Sequence, residues 1–185
     1  MAKLIVIASP SGGGKTSIVK ALMERHPEFE FSVSATTRTM REGEREGKDY
    51  FFLTKEEFER LIVRGELVEH EFFYQTYYGT LKREVDRALN AGHSMIFDVD
   101  VKGAQSIKKK YPNDTIQFFI APPSKEVLEQ RLRNRKTESE EKIRHRLERV
   151  PMELEIGKSF DHIVVNDDLQ KAINDVDGIV KKFIQ

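Results

Sequence analysis

The sequence predicts an α/β fold, a parallel sheet flanked by helices, and three features carry that prediction. The run Leu4-Ile5-Val6-Ile7 is short, apolar and rich in β-branched residues, and it breaks at Pro10 before a helical pattern begins. That is the profile of a strand covered on both faces. Similar runs at Met95-Ile96-Phe97, 116–120 and Ile163-Val164-Val165 are each followed by a helix-like stretch, an alternation that favours crossover helices and parallel pairing. The chain has 185 residues, within the ~100 to 200 of one domain, and it shows no repeat, low-complexity tract or linker, so 1–185 is expected to be a single domain.

Taken in order, the first helical pattern runs from Lys15 to about His26, with Ile18, Val19, Leu22 and Met23 on one side. Later helical segments are expected near 101–110, 124–135 and 168–183. Two polar segments interrupt the rhythm. Segment 32–92 mixes aromatic runs (Tyr50-Phe51-Phe52, Phe72-Phe73-Tyr74, Tyr77-Tyr78) with a helix opened by Thr54-x-x-Glu57, a capping box, and is expected to be a small mixed β insertion. Arginines 131, 133, 135, 144, 146 and 149 cluster around a second such pattern, Thr137-x-x-Glu140. That stretch reads as a basic lid over about 126–157, leaving 1–31, 93–125 and 158–185 as the core.

Composition narrows the function. Lysine plus arginine number 31 and aspartate plus glutamate 31, for zero formal charge, so no global field gathers nucleic acid or an anionic membrane. There is no cysteine, hence no disulfide and no thiolate metal site, and the five histidines lack ligand-type spacing. The longest apolar run falls far short of the ~20 residues that cross a bilayer. A cytoplasmic protein is expected, with no nucleic-acid or membrane partner.

Between the first strand and first helix lies Ser9-Pro10-Ser11-Gly12-Gly13-Gly14-Lys15-Thr16, close to the P-loop pattern G-x-x-x-x-G-K-[ST]. Glycines let backbone amides turn inward around phosphate oxygens, and the following helix directs its positive end there. Lys15 supplies a charge for the β- and γ-phosphates, and the Thr16 hydroxyl is placed to ligate Mg²⁺. Ser9 departs from the pattern's glycine, a position where another small residue can fit. Asp98 ends a predicted strand, where P-loop proteins carry an acidic Mg²⁺ ligand; an N-cap aspartate is the structural alternative. The loop alone leaves kinase, GTPase and ATPase open.

The remaining motifs choose among these. Segment 32–44, Ser-Val-Ser-Ala-Thr-Thr-Arg-Thr-Met-Arg-Glu-Gly-Glu, and Gly47-Lys48-Asp49-Tyr50-Phe51-Phe52 resemble the acceptor segment of guanylate kinases. Tyr77-Tyr78-Gly79-Thr80, Asp98-Val99-Asp100-Val101-Lys102-Gly103-Ala104, Ala121-Pro122-Pro123-Ser124 and Val165-Asn166-Asp167-Asp168 resemble further motifs of that family in the same order, over essentially the whole chain. The resemblance implies Mg²⁺-dependent transfer of the ATP γ-phosphoryl group to GMP, a P-loop core, an acceptor-binding insertion and a helical lid. It implies ATP contacts from Ser11, Gly12, Gly13, Gly14, Lys15, Thr16, Ser17, Arg131 and Asn166. It also implies a GMP-phosphate grip by Arg38, Arg41, Tyr50 and Tyr78, base contacts by Ser34, Glu69 and Thr80, and a further contact by Asp100.

These residue types suit the chemistry. Guanidinium forks match phosphate oxygens bidentately. Guanine presents N1–H and its exocyclic amine side by side to a carboxylate, whereas adenine presents an acceptor, so a glutamate such as Glu69 discriminates. Lys15 and Arg38, with Arg135 and Arg146 as the lid arginines of the resemblance, are the expected catalytic cations, screening charge on the transferring phosphoryl group. The chain departs from the family at Gln75-Thr76 (usually Gly-Asn), Lys136 (commonly glycine) and Glu71 (usually a small residue). A guanylate-kinase-like interaction module without catalysis, or a P-loop kinase with another small acceptor, are the alternatives.

Overall fold

The computed structural model describes residues 2–134 and 140–185. In chain order its first half runs β1 (Leu4–Ala8), α1 (Lys15–Arg25), β2 (Glu30–Phe31), β3 (Ala35–Thr36), β4 (Phe51–Phe52), α2 (Lys55–Val63), β5 (Leu67–Phe73), β6 (Thr76–Leu81) and α3 (Lys82–Ala91). The second half runs β7 (Met95–Asp98), α4 (Val101–Lys110), β8 (Thr115–Ala121), α5 (Lys125–Asn134), α6 (Glu140–Gly157), β9 (His162–Val165) and α7 (Leu169–Ile184). The sheet predicted from sequence is five-stranded and parallel, in the order β2-β7-β1-β8-β9.

Every residue of β1 is buried, because the strand is central and its side chains alternate between two cores. Ile5 and Ile7 face Ile18 and Leu22 of α1 and Val176 and Val180 of α7. Leu4 and Val6 face Phe97, Phe119, Val85 and Ala88 of α3, and Ala104 and Ile107 of α4. Each fully buried Leu, Ile or Val contributes ~1.5–3 kcal/mol, so the strand that launches the glycine-rich loop is among the most firmly held parts of the fold.

Segment 35–81 makes a second sheet, β4-β3-β6-β5, with parallel β3–β4 and antiparallel β3–β6 and β5–β6 pairing. Its own small core joins Ala35, Phe58, Leu67 and Leu81. The Thr54 box forms as expected: Glu57 N donates to Thr54 Oγ1 at 3.2 Å and Thr54 N to Glu57 Oε2 at 2.7 Å. Helix α3 is absent from the sequence-based picture of 32–92, since its buried pair Val85 and Ala88 is diluted by five charged residues. Thr137, the other capping candidate, lies outside the described residues.

One irregularity bears directly on the site. The β5–β6 register shifts between Leu67 and Glu69, so Leu67 faces Leu81 while Glu69 faces Thr80. Such a bulge re-aims a side chain. Leu67 joins the small core and the adjacent Val68 joins a core of the central sheet, which fixes the orientation of Glu69 between them.

Candidate active site

At the carboxyl end of β1 the chain turns sharply through Gly12 and Gly14, both at φ +91°, the left-handed region that favours glycine. A Cβ on Gly14 would lie 2.2 Å from Asn166 Nδ2. That amide instead donates to Gly13 O at 2.8 Å, tying the loop to the turn after β9. Ser9 is buried and its hydroxyl donates to Pro10 O at 2.9 Å. A Cβ on Gly13 would come 2.8 Å from Ser9 Cβ, so the glycine at 13 makes room for the side chain at 9.

Lys15 opens α1, whose first turn holds no acidic residue to compete with phosphate. Its Nζ lies 2.5 Å from Asp98 Oδ1 and donates to Val99 O at 3.0 Å. Thr16 Oγ1 donates to Asp98 Oδ2 at 3.3 Å; Thr16 and Ser17 are both exposed. The β1–β7 register pairs Asp98 with Ile7, which brings the carboxylate beside the loop. The capping role that was the alternative for Asp98 belongs to Asp100, whose Oδ1 accepts from Gly103 N at 2.7 Å at the start of α4.

Thr16 and Asp98 therefore present a hydroxyl and a carboxylate at one point, a hard oxygen pair that fits a divalent cation. Among the described residues no three His, Cys, Asp or Glu side chains converge for a metal. A sparse set suits an ion that keeps its waters and takes phosphate oxygens as ligands.

The residues expected on the acceptor side gather around the second sheet. Arg38 makes a bidentate pair with Glu44, Nη1 at 2.9 Å from Oε2 and Nη2 at 2.7 Å from Oε1. Its guanidinium lies over Tyr50 at 5.2 Å and Phe52 at 5.7 Å. The Tyr50 and Tyr78 rings meet edge-on at 6.2 Å, and burial pushes the Tyr50 phenol up. Arg41 is exposed, and its backbone N–H donates to Glu44 Oε2 at 2.7 Å. Those contacts hold the Glu44 carboxyl at about 2, the Arg38 hydrogen bonds being the largest cause. Ser34 precedes β3, and its carbonyl accepts from Phe51 N at 2.9 Å, which holds β4 beside it.

Glu69 is partly buried, and its Oε1 accepts from Thr80 Oγ1 at 2.6 Å. Two glycines permit this approach: a Cβ on Gly79 would meet Glu69 O at 2.7 Å, and one on Gly103 would meet Glu69 Oε2 and Asp100 Oδ1 at 3.2 Å each. Burial pushes the Glu69 carboxyl up to about 7, the charges of Asp100 and Glu71 add to the rise, and the Thr80 hydrogen bond opposes it. Such a perturbed carboxyl beside a cleft is a mark of functional sites.

From the basic segment, Arg146 Nη1 donates to Ser11 Oγ, and Arg131 Nη2 donates to Asn166 O at 3.0 Å. Arg131 Nη1 and Asn166 Oδ1 are buried with no hydrogen-bond partner. Arg135 and Lys136 lie outside the described residues. Arg133 instead pairs with Glu129 and Glu140 on the surface.

Ser11, Gly12, Gly14, Lys15, Thr16, Asp98, Asp100 and Arg146 line one cavity of about 640 Å³, together with Glu71 and Arg149. Arg38, Arg41, Tyr50 and Tyr78 form a separate group outside that lining. Glu44, Glu71, Arg149 and Glu153 carry no role in the sequence reading. Glu44 was visible inside the acceptor motif, whereas the other three are tied together only by tertiary contacts.

Comparison with known proteins agrees with this geometry. The family model described as "Guanylate kinase" matches residues 1–183. A guanylate kinase of Chlorobaculum tepidum is 47% identical over 182 residues, covering 98% of this chain and 93% of that one. One from Porphyromonas gingivalis is 45% identical over 186 residues, covering 100% and 99%. The crystal structure of guanylate kinase from Anaplasma phagocytophilum superposes with a TM-score of 0.75 at 30% identity, covering 98% of this chain and 85% of that one.

Proposed function

Because the chain belongs to the guanylate kinase family and is an ATP:GMP phosphotransferase, we propose that ATP lies on the loop 9–16 and GMP on the second sheet, meeting in the cavity between Lys15 and Asp100. The observation that carries this assignment is the cavity itself, in which Lys15 and Thr16 of the loop and the neighbouring Asp98 share walls with Asp100, and a Cβ on Gly103 would lie 3.2 Å from both Asp100 Oδ1 and Glu69 Oε2. In this proposal 32–92 is the acceptor-binding insertion and about 126–157 the lid.

Gly12, Gly13, Gly14 and Ser11 turn their backbone toward the donor phosphates, and Lys15 exchanges Asp98 for phosphate oxygens. Arg38, Arg41, Tyr50 and Tyr78 grip the acceptor phosphate, Arg38 turning part of its fork from Glu44. Glu69 accepts from guanine N1–H and N2–H, with Ser34 and Thr80 beside it. Thr16 and Asp98 would hold the divalent cation the family requires, assigned here as Mg²⁺, which supplies charge neutralisation on the donor phosphates. Arg131 and Asn166 serve the donor side through their unpartnered atoms, while Arg146, joined to the loop at Ser11, and Arg135 bring lid charge to the transferring group.

An oxygen of the GMP phosphate attacks Pγ, the bond from Pγ to the β,γ-bridging oxygen breaks, and ADP leaves. The acceptor phosphate has a second pKa near ~6 and is mostly ionised at pH 7, so no general base is needed. Catalysis then rests on positioning, charge screening and exclusion of water, which would otherwise hydrolyse ATP. A cytoplasmic setting, where both nucleotides are supplied, belongs to the same proposal.

The test is an ADP-release assay with ATP and Mg²⁺ across AMP, GMP, CMP, UMP and dTMP, with the product identified. GMP is expected to lead by orders of magnitude; another acceptor leading would overturn the base assignment.

A further inference from the structure

Helix α6 carries a guanidinium that neither the donor nor the acceptor assignment uses. Arg149 Nη2 lies 3.0 Å from Glu71 Oε1 and 3.3 Å from Asp100 Oδ2. Its Nε is 3.6 Å from Glu153 Oε1, one turn along the same helix, and its head lies 5.6 Å over the Phe73 ring. One side chain thus joins the strand that carries Glu69, the turn that caps α4, and the helix of the basic segment.

The surroundings explain why a cation is needed there. Glu69 and Glu71 both stand on β5, and Gly103 leaves open the space where a Cβ would lie 3.2 Å from both Glu69 Oε2 and Asp100 Oδ1. Glu69, Glu71, Asp100 and Glu153 therefore converge near the place where a dianionic monophosphate must enter. Burial, then the charge of Asp100, pushes the Glu71 carboxyl up, and Arg149 opposes that rise. Glu153 is likewise pushed up by burial and drawn down by Arg149. Glu71 is also the strand position where the resembling family usually has a small residue, and Arg149 supplies its physical account.

We propose that Arg149 is a positioning residue for the acceptor nucleotide, pairing with Glu71 and Asp100 so that Asp100 stays seated at the start of α4 and the guanine-binding strand stays docked to α6. This rests on the reading of the second sheet as the GMP site. Loss of the guanidinium leaves Glu71 and Asp100 repelling each other and the incoming phosphate. Loss of Glu71 as well removes that repulsion.

The experiment is a double-mutant cycle on the full chain, using Arg149→Met, Glu71→Ala and the pair, with kcat, KM for GMP, KM for ATP and pH profiles of kcat/KM. Arg149→Met is expected to raise KM for GMP about ten- to thirty-fold, as expected for breaking a partly buried charged pair, with KM for ATP within about twofold. Adding Glu71→Ala should restore KM for GMP to within about threefold of the original. A double variant as poor as Arg149→Met overturns the proposal, as does an equal rise in both KM values or a fall in melting temperature with KM for GMP unchanged. Glu71→Gln with Arg149 intact gives an independent reading should Arg149→Met not fold: removing a like charge beside Glu69 should move the acid limb of kcat/KM for GMP down by about half a pH unit. An unmoved limb counts against the proposal. Original protein that makes no GDP would defeat the GMP reading itself, whereas original protein active on GMP with additive variants would defeat only the role of Arg149.

Discussion

Replacing Glu69 by glutamine separates what this carboxyl does for recognition from what it costs the fold. Its rise from the ordinary 4.5 to about 7 is caused first by burial, and at ~1.36 kcal/mol per pK unit amounts to about 3 kcal/mol. The sign follows from proton binding. Between pH 4.5 and 7 the native chain holds a proton that the unfolded chain releases, so the contribution is fully present below about 4.5 and is lost as pH rises through about 7. Glutamine keeps an oxygen for the Thr80 hydroxyl but never ionises. In the absence of nucleotide, Glu69→Gln is therefore expected to be more stable than the original at pH 8, by up to about 3 kcal/mol, and nearly equal at pH 4.5. Recognition moves the other way: an amide matches only one of guanine's two donors and turns its own NH₂ toward the other, a loss of ~2–4 kcal/mol, or about 30- to 1,000-fold in kcat/KM for GMP. The original should show an acid limb near pH 7 in kcat/KM for GMP, and the variant only the phosphate limb near ~6. Urea unfolding at both pH values and steady-state kinetics from pH 5 to 9 read all of this. A variant destabilised equally at both pH values, or an unchanged acid limb, would refute burial of Glu69 as the cause.

Three other substitutions test the surroundings. Gly14→Ala puts a methyl 2.2 Å from Asn166 Nδ2 at φ +91°, so it should destabilise the protein by about 2 kcal/mol or more and weaken ATP binding, checked by thermal melting and calorimetry with ATP. Arg38→Met removes a bidentate phosphate partner and should raise KM about 100-fold for every acceptor alike, leaving the preference for guanine intact in an acceptor panel. The turn between β5 and β6 places Tyr74 at φ +46° and Gln75 at φ +59°, and Gln75→Gly should relieve part of that strain, raising stability by about 0.5–1 kcal/mol, seen as a higher urea midpoint at unchanged slope.

Much of the framework was legible because it follows from local rules. β1, β7 and β8 announce themselves as apolar runs since a parallel sheet buries both their faces, and Thr54 and Glu57 declare a helix start through two hydrogen bonds made within four residues. The strand–glycine turn–helix unit was legible even with Ser9 out of pattern, because the strand before the loop and the helix after it were plain. Glu69 was different. The bulge at Leu67/Glu69 breaks the two-residue period on which strand reading depends, and its carboxyl acquires meaning only from Thr80, Gly79 and Gly103. The bidentate grip of Glu44 on Arg38 closes a loop between strands of two residues each, too short to carry a periodic signal. Arg149 looked like one more arginine on a charged helix, and its three carboxylate partners include two distant in the chain.

The structure also accounts for a neutral chain that handles two polyanions. Lys15 is held by Asp98, Arg38 by Glu44, and Arg149 by Glu71 and Asp100. In the proposed reading Lys15 and Arg38 are each kept in place, at low cost in side-chain entropy, by an oxygen that a phosphate can replace, whereas Arg149 keeps its carboxylate partners. Binding is then an exchange of partners. The energy gained is the difference between a carboxylate and a phosphate of higher charge, smaller than for a bare cation but delivered at a fixed geometry. Asp98 is the case that closes the cycle, because in the proposed exchange Lys15 leaves Asp98 Oδ1 for the donor phosphates while Oδ2 stays beside the Thr16 hydroxyl. In that proposal the carboxylate oxygen Lys15 gives up is released by the same event that delivers the phosphates a divalent ion must neutralise, so the ion's ligand set is complete only when the donor is bound.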